Sequence, residues 1–420
     1  EINRGNDMKV AIIGGGISGL MAADSLNGVL DYDLYEAAPD LGGHADSHDI
    51  EVDGQTLSVD TGFLVYNESR YHHFTDMLSR YEVASEASDM SFAVSNRVTG
   101  LEYNATNLSG LFCQKKNLVS PRFYRMIADI RRFYRQAPNV LENNVDTGIY
   151  DFLVSEKYSS YFIHEHMMPM VSALWSGDFE TVKDYPIYYL LRFMANHQML
   201  QLTGRPQWRT ISGGSKHYVN AIKEHMQGRV HINQPVKSVV RDDRGVLITS
   251  AHGIERYAAV IFATHVDDTL VLLEQPTLQE AQALSGIRYV DNDMVLHTDA
   301  TLLPRNRKAW ASWSVNYYGE DNQGCQVNYY LNQLQNLKVA SPVIVSLNQT
   351  ERINPARKLL QKTYRHPVYD RKTPGYQQQI QALQGHNHSF YCGAYLGWGF
   401  HEDGAESGVK AAQMVKAQYV

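Results

Sequence analysis

The pattern of apolar and polar positions predicts a strand, a tight turn, a helix and a second strand near the start of the chain. Val10–Ile13 form an unbroken apolar run with β-branched residues, which is typical of a buried strand. Leu20, Ala23 and Leu26 then recur at helical spacing. A second short apolar stretch follows the helix and ends in Glu36. This order predicts a βαβ unit and an α/β fold built on a parallel sheet.

Three glycines lie between the first strand and the body of the helix, and a steric requirement explains why each position is a glycine. Gly14 permits a tight turn, Gly16 lets the backbone approach a pyrophosphate, and Gly19 lets the helix pack close to the strand. The N-terminus of the helix, at Ile17 and Ser18, then faces the phosphates.

Glu36 follows the glycines at the distance where an acid accepts a hydrogen bond from a ribose hydroxyl, about twenty residues on, and Ala37 lies beside it. A glycine series alone is weak evidence for a dinucleotide site. The same series is specific for such a site when a strand precedes it and a helix, a second strand and an acid follow it. The start of the chain is therefore predicted to be a Rossmann-type dinucleotide-binding unit.

The residues after Glu36 indicate which dinucleotide is bound. Gly42, Gly43 and His44 follow closely, and the combination resembles the large flavoprotein group that contains amine oxidases, phytoene desaturases and protoporphyrinogen oxidases. In that group the glycine pair supports FAD, so the resemblance implies non-covalently bound FAD. His44 stands where the group usually carries an arginine that neutralises the diphosphate.

The same resemblance assigns further cofactor contacts along the chain. Apolar runs at residues 50–52 and 57–59 flank Asp53-Gly54 and predict a hairpin, which delivers a loop to the flavin ring. A later set of short apolar runs, ending at residues 259–264, predicts a return to the nucleotide domain. The residues assigned from these segments are Thr61, Gly62, Phe63, Val236, Ala263 and Thr264.

The last block of the chain predicts a strand that ends at Gly393 and a helix that begins near Gly404. Related oxidases close their FAD site in this way, with the helix N-terminus aimed at the flavin. The resemblance places Gly393, Ala394, Glu402, Asp403 and Gly404 on the cofactor. His401 falls where amine oxidases place one aromatic residue of a substrate cage, so His401 and Trp398 are the candidate catalytic residues.

The predicted FAD-binding domain is discontinuous and consists of residues 8–70, 206–265 and 386–420. Residues 71–205 and 266–385 form an interleaved α+β substrate domain, rich in Tyr, Phe and Met. A strand at residues 325–331 and helices within residues 267–285 are among its predicted elements.

Composition excludes several classes of protein. The net charge of −7 gives no reason to expect a nucleic-acid partner. Cys113, Cys325 and Cys392 lack metal-ligand spacing and cannot form a disulfide framework, so no metal is predicted and a reducing cytoplasm fits. Residues 1–7 show no signal-peptide pattern, and no apolar run reaches the ~18 residues of a membrane span.

Residues 115–135 concentrate positive charge in this acidic protein. This segment contains one acid, Asp129, and seven cations, namely Lys115, Lys116, Arg122, Arg125, Arg131, Arg132 and Arg135. Two interpretations stay open. The segment is either a solvated basic face over a packed apolar stripe, or a surface that meets anionic lipid at the inner membrane or an acidic substrate head group.

A narrower resemblance rests on eight motifs: LGGHADSH, VDTGFLVYN, RPQWRTISGGSKHYV, FATH, VLHTDATLLP, WASW, YRHPVYD and FYCGAYLGWGFHEDGAESG. The set is similar to a bacterial family of FAD-dependent, amine-oxidase-like proteins often encoded beside cyclopropane-fatty-acid synthases. It implies oxidation or desaturation of a fatty-acyl or lipid-like substrate. Three alternatives stay open: an amine or polyamine oxidase, an FAD-dependent acyl-chain isomerase without net redox, and a non-catalytic flavoprotein partner of a fatty-acid methyltransferase.

Overall fold

The computed structural model describes residues 8–175, 179–196, 199–200, 204–319 and 326–420. Residues 1–7 and Cys325 lie outside this described part of the chain. The strands are β1 (Val10–Ile13), β2 (Tyr32–Tyr35), β3 (Ser47–Val52), β4 (Gln55–Asp60), β5 (Tyr66–Asn67), β6 (Ser85–Ser88), β7 (Phe92–Asn96), β8 (Glu102–Asn104), β9 (Trp208–Ile211), β10 (Arg229–His231), β11 (Ser238–Asp242), β12 (Gly245–Ser250), β13 (Gly253–Tyr257), β14 (Ala259–Phe262), β15 (Arg288–His297), β16 (Trp313–Tyr317), β17 (Val327–Tyr330), β18 (Ile344–Leu347), β19 (Lys358–Val368) and β20 (Ser389–Tyr391).

The helices are α1 (Ile17–Leu26), α2 (His72–Arg80), α3 (Leu108–Leu111), α4 (Pro121–Glu142), α5 (Ile149–Ser155), α6 (Ser160–Phe162), α7 (Met168–Trp175), α8 (Phe179–Val182), α9 (Ile187–Asn196), α10 (Lys216–His225), α11 (Val266–Leu272), α12 (Leu278–Leu284), α13 (Leu331–Leu334), α14 (Thr373–Ala382) and α15 (His401–Tyr419). Short 3-10 turns connect several of them. In the described chain, no helix is long and apolar enough to cross a membrane.

A parallel sheet with strand order β10-β2-β1-β14-β20 holds the start of the chain at its centre. β1 is buried on both faces because its residues alternate between two cores. Val10 and Ile12 pack with α1, α10 and α15, whereas Ala11 and Ile13 pack with α11, α12 and α14. The predicted α/β class is therefore confirmed, and the unbroken apolar run is explained by helices on both faces.

A second sheet has strand order β19-β15-β18-β17-β16-β7-β8 and mixes antiparallel pairs with the parallel pair β16–β7. One end of this sheet packs with α4, α5, α7 and α9 in a separate hydrophobic core. The fold also contains a small sheet, β5-β9-β6, the hairpin β3–β4 and an antiparallel sheet, β11-β12-β13.

The packing divides the molecule differently from the predicted domain boundaries. Helix α2, which the sequence places in the substrate domain, contributes Phe74, Met77 and Leu78 to the core beneath the parallel sheet. Residues of α11, α12 and α14 cover the other face of that sheet. The parallel-sheet unit therefore includes segments that apolar spacing alone could not attach to it.

The predicted helices within residues 267–285 are α11 and α12, and Thr277 caps α12 by accepting a hydrogen bond from the Glu280 N–H. Two other elements differ from their predictions. The last helix begins at His401 and not near Gly404. Strand β19 has no counterpart in the predicted elements, since its mixed polar sequence lacks a clear alternation.

Candidate functional site

The glycine turn at the end of β1 presents free backbone donors. Gly16 precedes α1 as its N-cap, with no side-chain cap, and the first turn of the helix contains no acid. A Cβ built on Gly16 would meet protein only at 3.9 Å, on Gly43, whereas one on Gly19 would meet the Gly14 carbonyl at 1.9 Å. Gly16 therefore leaves space beside the helix N-terminus, and Gly19 allows the helix to pack closely on the turn that follows the strand. This arrangement is suited to an anionic phosphate.

Glu36 at the end of β2 anchors the same turn. Its Oε2 accepts a hydrogen bond from the Gly15 N–H at 2.7 Å, and its Oε1 accepts one from the Ala38 N–H at 2.8 Å. Each oxygen keeps a second lone pair for a further donor such as a ribose hydroxyl. The acid thus has a structural role in the turn that the sequence did not predict.

A continuous cavity of about 1200 Å³ runs from this turn to the second sheet. Most of the residues assigned to cofactor binding line it, namely Gly14, Gly16, Ile17, Ser18, Glu36, Ala37, Gly43, His44, Thr61, Gly62, Phe63, Val236, Ala263, Thr264, Gly393 and Ala394. The volume exceeds the roughly 300–1,000 Å³ of a typical single-ligand site, so a dinucleotide and a second molecule can share it.

His401 lies on the cavity wall as the first residue of α15. Its ring stacks on Phe63 with centroids 3.7 Å apart, and its Nε2 lies 2.8 Å from the Tyr218 hydroxyl. Burial lowers the pKa of His401 to about 3, so the ring is neutral at neutral pH.

The Tyr218–His401 contact fixes the tautomer of that ring. Tyr218 is fully buried, and His401 is its hydroxyl's only hydrogen-bond partner in the described structure. If the hydroxyl accepted, its own proton would be buried without an acceptor, so the hydroxyl donates to Nε2. The ring proton of His401 therefore sits on Nδ1, where it is available as a donor to a bound molecule.

Three further histidines, here called the histidine cluster, converge on the same cavity: His44, His265 and His366. The His44 ring lies 5.4 Å from that of His366 and 6.4 Å from that of His265. Burial lowers the pKa of each ring, to about 3 for His366 and about 4 for His265.

The sequence singled out only His44 from this cluster. His265 and His366 come from the end of the β14 segment and from β19, so only the tertiary fold brings them together. The His44 Nε2 is buried without a hydrogen-bond partner among the described residues. Because the ring is held neutral, it can offer one hydrogen bond to a bound group but does not replace the positive charge of an arginine.

The comparisons with known proteins agree with this geometry. The family model of flavin-containing amine oxidoreductases matches residues 17–298, which is more than half of the chain. The chain belongs to this family. Its members bind FAD, so this protein is an FAD-dependent oxidoreductase. No match is found among curated protein sequences.

Solved structures of the same fold align over nearly the whole chain. A conjugated-linoleic-acid-producing ("CLA-producing") fatty acid isomerase from P. acnes has a TM-score of 0.70 and 15% identity, covering 99% of each chain. Cyclohexylamine oxidase from Brevibacterium oxydans has a TM-score of 0.67 and 15% identity, covering 98% of this chain and 99% of its own. Putrescine oxidase bound to putrescine has a TM-score of 0.65 and 13% identity, covering 98% of each chain. At these identities the likeness concerns the fold.

The donor set around the cavity fits FAD. The uncapped N-terminus of α1 and the Gly16 space suit a diphosphate, Glu36 suits a ribose, and the buried Nε2 of His44 lacks a partner that a cofactor can provide. Bound FAD supplies a hydride acceptor, while the protein supplies binding, orientation and a dry site. Val236, Ala263 and Thr264 line the cavity near the same strand ends, as do Gly393 and Ala394.

Two acids predicted to contact the cofactor have other partners. Glu402 accepts hydrogen bonds from the N–H groups of His73 and Phe74, at 2.8 and 3.0 Å, and so caps the start of α2. Asp403 accepts from the N–H groups of Trp398 and Phe400, at 3.0 and 2.9 Å. Neither is among the residues that line the cavity, and both have a structural role that the sequence did not predict.

Gly404, Gly42 and Trp398 also lie outside the cavity lining. A Cβ on Gly404 would meet the Ile17 side chain at 2.8 Å, so this glycine allows α15 to pack on α1. The Gly42 N–H donates to the Gly15 carbonyl and holds the glycine pair against the turn. The Trp398 ring packs edge-on against Tyr189, 4.6 Å away, and carries no catalytic group into the cavity.

Proposed function

We propose that this protein oxidises or desaturates the hydrocarbon chain of a lipid-like substrate, with FAD as the hydride acceptor. When a double bond forms, the chain loses a hydride from one carbon and a proton from its neighbour, and the reduction of bound FAD to FADH₂ would take up both. The observation that carries the proposal is the long apolar extension of the cavity beyond the dinucleotide end.

The apolar extension is lined by side chains from the second sheet, from the helices that pack on it and from adjoining loops. Its members are Met90, Phe92, Leu111, Ile127, Ile130, Met170, Ala173, Leu174, Phe193, Met199, Trp313 and Phe400. Such a surface gains free energy by covering a hydrocarbon chain, at roughly 0.8 kcal/mol per buried CH₂ group. A long chain therefore suits this extension better than a small polar molecule.

The charges on the cavity wall disfavour a polyamine. In the described part of the chain, the acids that line the cavity are Glu36, Asp89 and Asp268, and each is engaged. Glu36 holds two backbone N–H groups, Asp89 accepts from Ser91 and Ser312, and Asp268 pairs with Arg365. Arg131, Arg205 and Arg365 also line the cavity, so a polycation would meet as many cations as carboxylates there.

The chain's own residues have defined duties in this proposal. Apolar side chains exclude water and hold the hydrocarbon in place, which protects the hydride transfer. The Nδ1–H of His401 donates to whichever acceptor lies beside it and, being neutral, adds no charge. None of these duties requires His401 to act as a base.

The test is an anaerobic titration of the FAD-loaded protein with fatty acids, fatty alcohols, monoamines and polyamines, followed by the loss of flavin absorbance. We expect fatty acyl chains to bleach the flavin and the product to be two mass units lighter, while polyamines leave the spectrum unchanged. Bleaching by amines alone would assign an amine oxidase. A double-bond isomer formed without bleaching would assign an isomerase. Neither bleaching nor product would assign a non-catalytic role.

A matched variant tests the role of the apolar extension. Ala173 lines it and is only 3% exposed, so Ala173→Phe fills part of the space. We expect long chains to lose their effect while shorter chains retain theirs. The flavin absorbance per chain reports that the variant still folds and binds FAD. Equal rates for all chain lengths in wild type and variant would contradict the proposal.

A further inference from the structure

The cavity has two groups of exposed lining residues, and the second group marks an outer opening far from the cofactor turn. Ala37 and Gly43 are exposed at the dinucleotide end. At the other end the exposed lining residues are Asp89, Ala105, Thr106, Arg131, Arg205 and Gln207, and Asp89 accepts hydrogen bonds from Ser91 and Ser312. The outer opening therefore carries two arginines directly beside the apolar extension.

Arg131 lies on the cavity face of α4. Ile127, Ile130 and Tyr134 line the cavity with it, at the spacing of one helical face. Asp129 is the nearby acid, but it faces the opposite way and interacts with Arg125 and Arg132 and with the Ser159 N–H. Arg131 has no ion pair or hydrogen bond among the residues that the structure describes.

Arg205 reaches the same place from the segment before β9. Its guanidinium hydrogen-bonds the Tyr134 hydroxyl, one turn along α4 from Arg131. Both arginines are exposed, so their charges cost little to maintain in the absence of a ligand. The two guanidinium groups and the hydroxyl between them can all donate to a single oxyanion.

We propose that Arg131, Arg205 and Tyr134 bind the oxyanion head group of a single-chain lipid, whose hydrocarbon chain extends through the cavity toward the flavin. The head group is the carboxylate of a fatty acid or the phosphate of an alkyl phosphate, since a guanidinium binds both in a bidentate manner. This inference rests on the proposed function for the orientation of the chain. Because the head group is fixed at the outer opening, the distance from that opening to the flavin selects which carbons are oxidised.

The experiment measures binding to the FAD-loaded protein through the flavin difference spectrum, below the micellar concentration of each probe. The probes are oleic acid, methyl oleate, oleylamine and monododecyl phosphate. We expect oleic acid to bind at least tenfold more tightly than methyl oleate and oleylamine. Tight binding of monododecyl phosphate as well would widen the ligand to oxyanions in general, and its absence would restrict the site to carboxylates.

Arg131→Gln and Arg205→Gln are each expected to weaken oleic acid binding about 10- to 100-fold, as expected for the loss of a charge-assisted hydrogen bond. Methyl oleate binding should stay unchanged. Arg135→Gln is the matched control, because Arg135 is an exposed cation on the same helix that does not line the cavity. Tyr134→Phe should produce a smaller loss than either arginine variant.

The inference is overturned if oleic acid and methyl oleate bind equally, or if Arg135→Gln weakens oleic acid as much as Arg131→Gln does. These results are separable from the proposed function. Equal bleaching of the flavin by oleic acid and its methyl ester would retain the function and remove the head-group site. Tight, arginine-dependent binding of oleic acid without bleaching would retain the site and remove the function.

Discussion

Tyr218→Phe tests the geometry around His401 with the smallest possible change. The substitution removes one hydroxyl and keeps the ring, which packs edge-on against Phe63, Phe74 and His401. The buried Nε2 of His401 then loses the donor that lies 2.8 Å away. A buried polar atom left without a partner costs about 1–3 kcal/mol, which sets the expected loss in the free energy of unfolding.

The assay is the melting temperature of the FAD-saturated protein. Unfolding entropy is about 2.1 cal/mol/K per residue, so cooperative unfolding of 420 residues converts each kcal/mol into about 1 °C. We therefore expect Tyr218→Phe to lower the melting temperature by about 1–3 °C. We also expect the variant to retain FAD but to reduce it more slowly, because the proton on Nδ1 of His401 is no longer held there.

Tyr185→Phe is the matched control for this measurement. The Tyr185 hydroxyl is also buried, but it has no hydrogen-bond partner in the described structure, so its removal leaves no atom unsatisfied. We expect no loss of stability. Equal melting temperatures for Tyr218→Phe and Tyr185→Phe would refute a stabilising hydrogen bond between Tyr218 and His401, and with it the assignment of the proton to Nδ1.

Three other predictions follow from the structure. Glu36→Ala should weaken FAD binding about tenfold or more, because a ribose contact and the hydrogen bond from the Gly15 N–H are both lost. Asp40→Ala removes the same charge from a nearby exposed position and should leave FAD affinity unchanged. Equilibrium dialysis measures the FAD affinity of both variants. Burial lowers the pKa of His366 to about 3, below its unfolded value near 6.5, so the unfolded state binds protons first and stability falls as the pH drops from about 6.5 toward 3. That loss reaches up to ~2 kcal/mol at pH 5, and His366→Gln should show a flatter dependence of melting temperature on pH. We also expect the protein to bind anionic vesicles at low salt, because residues 105–128 carry four cations and no acid, and Leu118 and Val119 are 51% and 82% exposed. In a sedimentation assay, the double variant Leu118→Ser with Val119→Ser should bind the vesicles less than wild type. A wild-type protein that does not bind such vesicles would contradict this expectation.

The cofactor turn could be predicted from the sequence because it depends on interactions between residues that are close together in the chain. The glycines, the start of α1 and Glu36 lie within one βαβ unit, where each residue type has one mechanical use. Even there, the anchor that Glu36 provides for the Gly15 N–H could not be predicted, since the bond depends on the exact separation of two strand ends.

The backbone partners of the acids after His401 could not be predicted, because the same residue types serve two purposes at a helix N-terminus. Glu402 and Asp403 stand where an acid is stabilised by the helix dipole, whether or not a cofactor is near. Their nearest free donors are N–H groups of His73 and Phe74, more than 300 positions away in the chain, and of the preceding loop. No local pattern reveals such a partner.

The histidine cluster could not be predicted from the sequence for a related reason. His44, His265 and His366 belong to three different elements, and each alone is more often a core or surface residue than a functional one. Their common feature is burial beside one another, which lowers the pKa of each ring. Burial of this kind is a property of the tertiary structure.

The seven cations of residues 115–135 show how a helix separates charges that the sequence presents as one group. Arg125 and Arg132 lie on the side of Asp129 and share it as an ion-pair partner. Arg131, one residue before Arg132, is turned by about 100° and lies on the face of Ile127 and Ile130, which line the cavity. The two interpretations of the segment therefore do not exclude each other. One face of α4 is a solvated basic surface, and another brings a single unpaired cation to the opening through which an anionic lipid would enter.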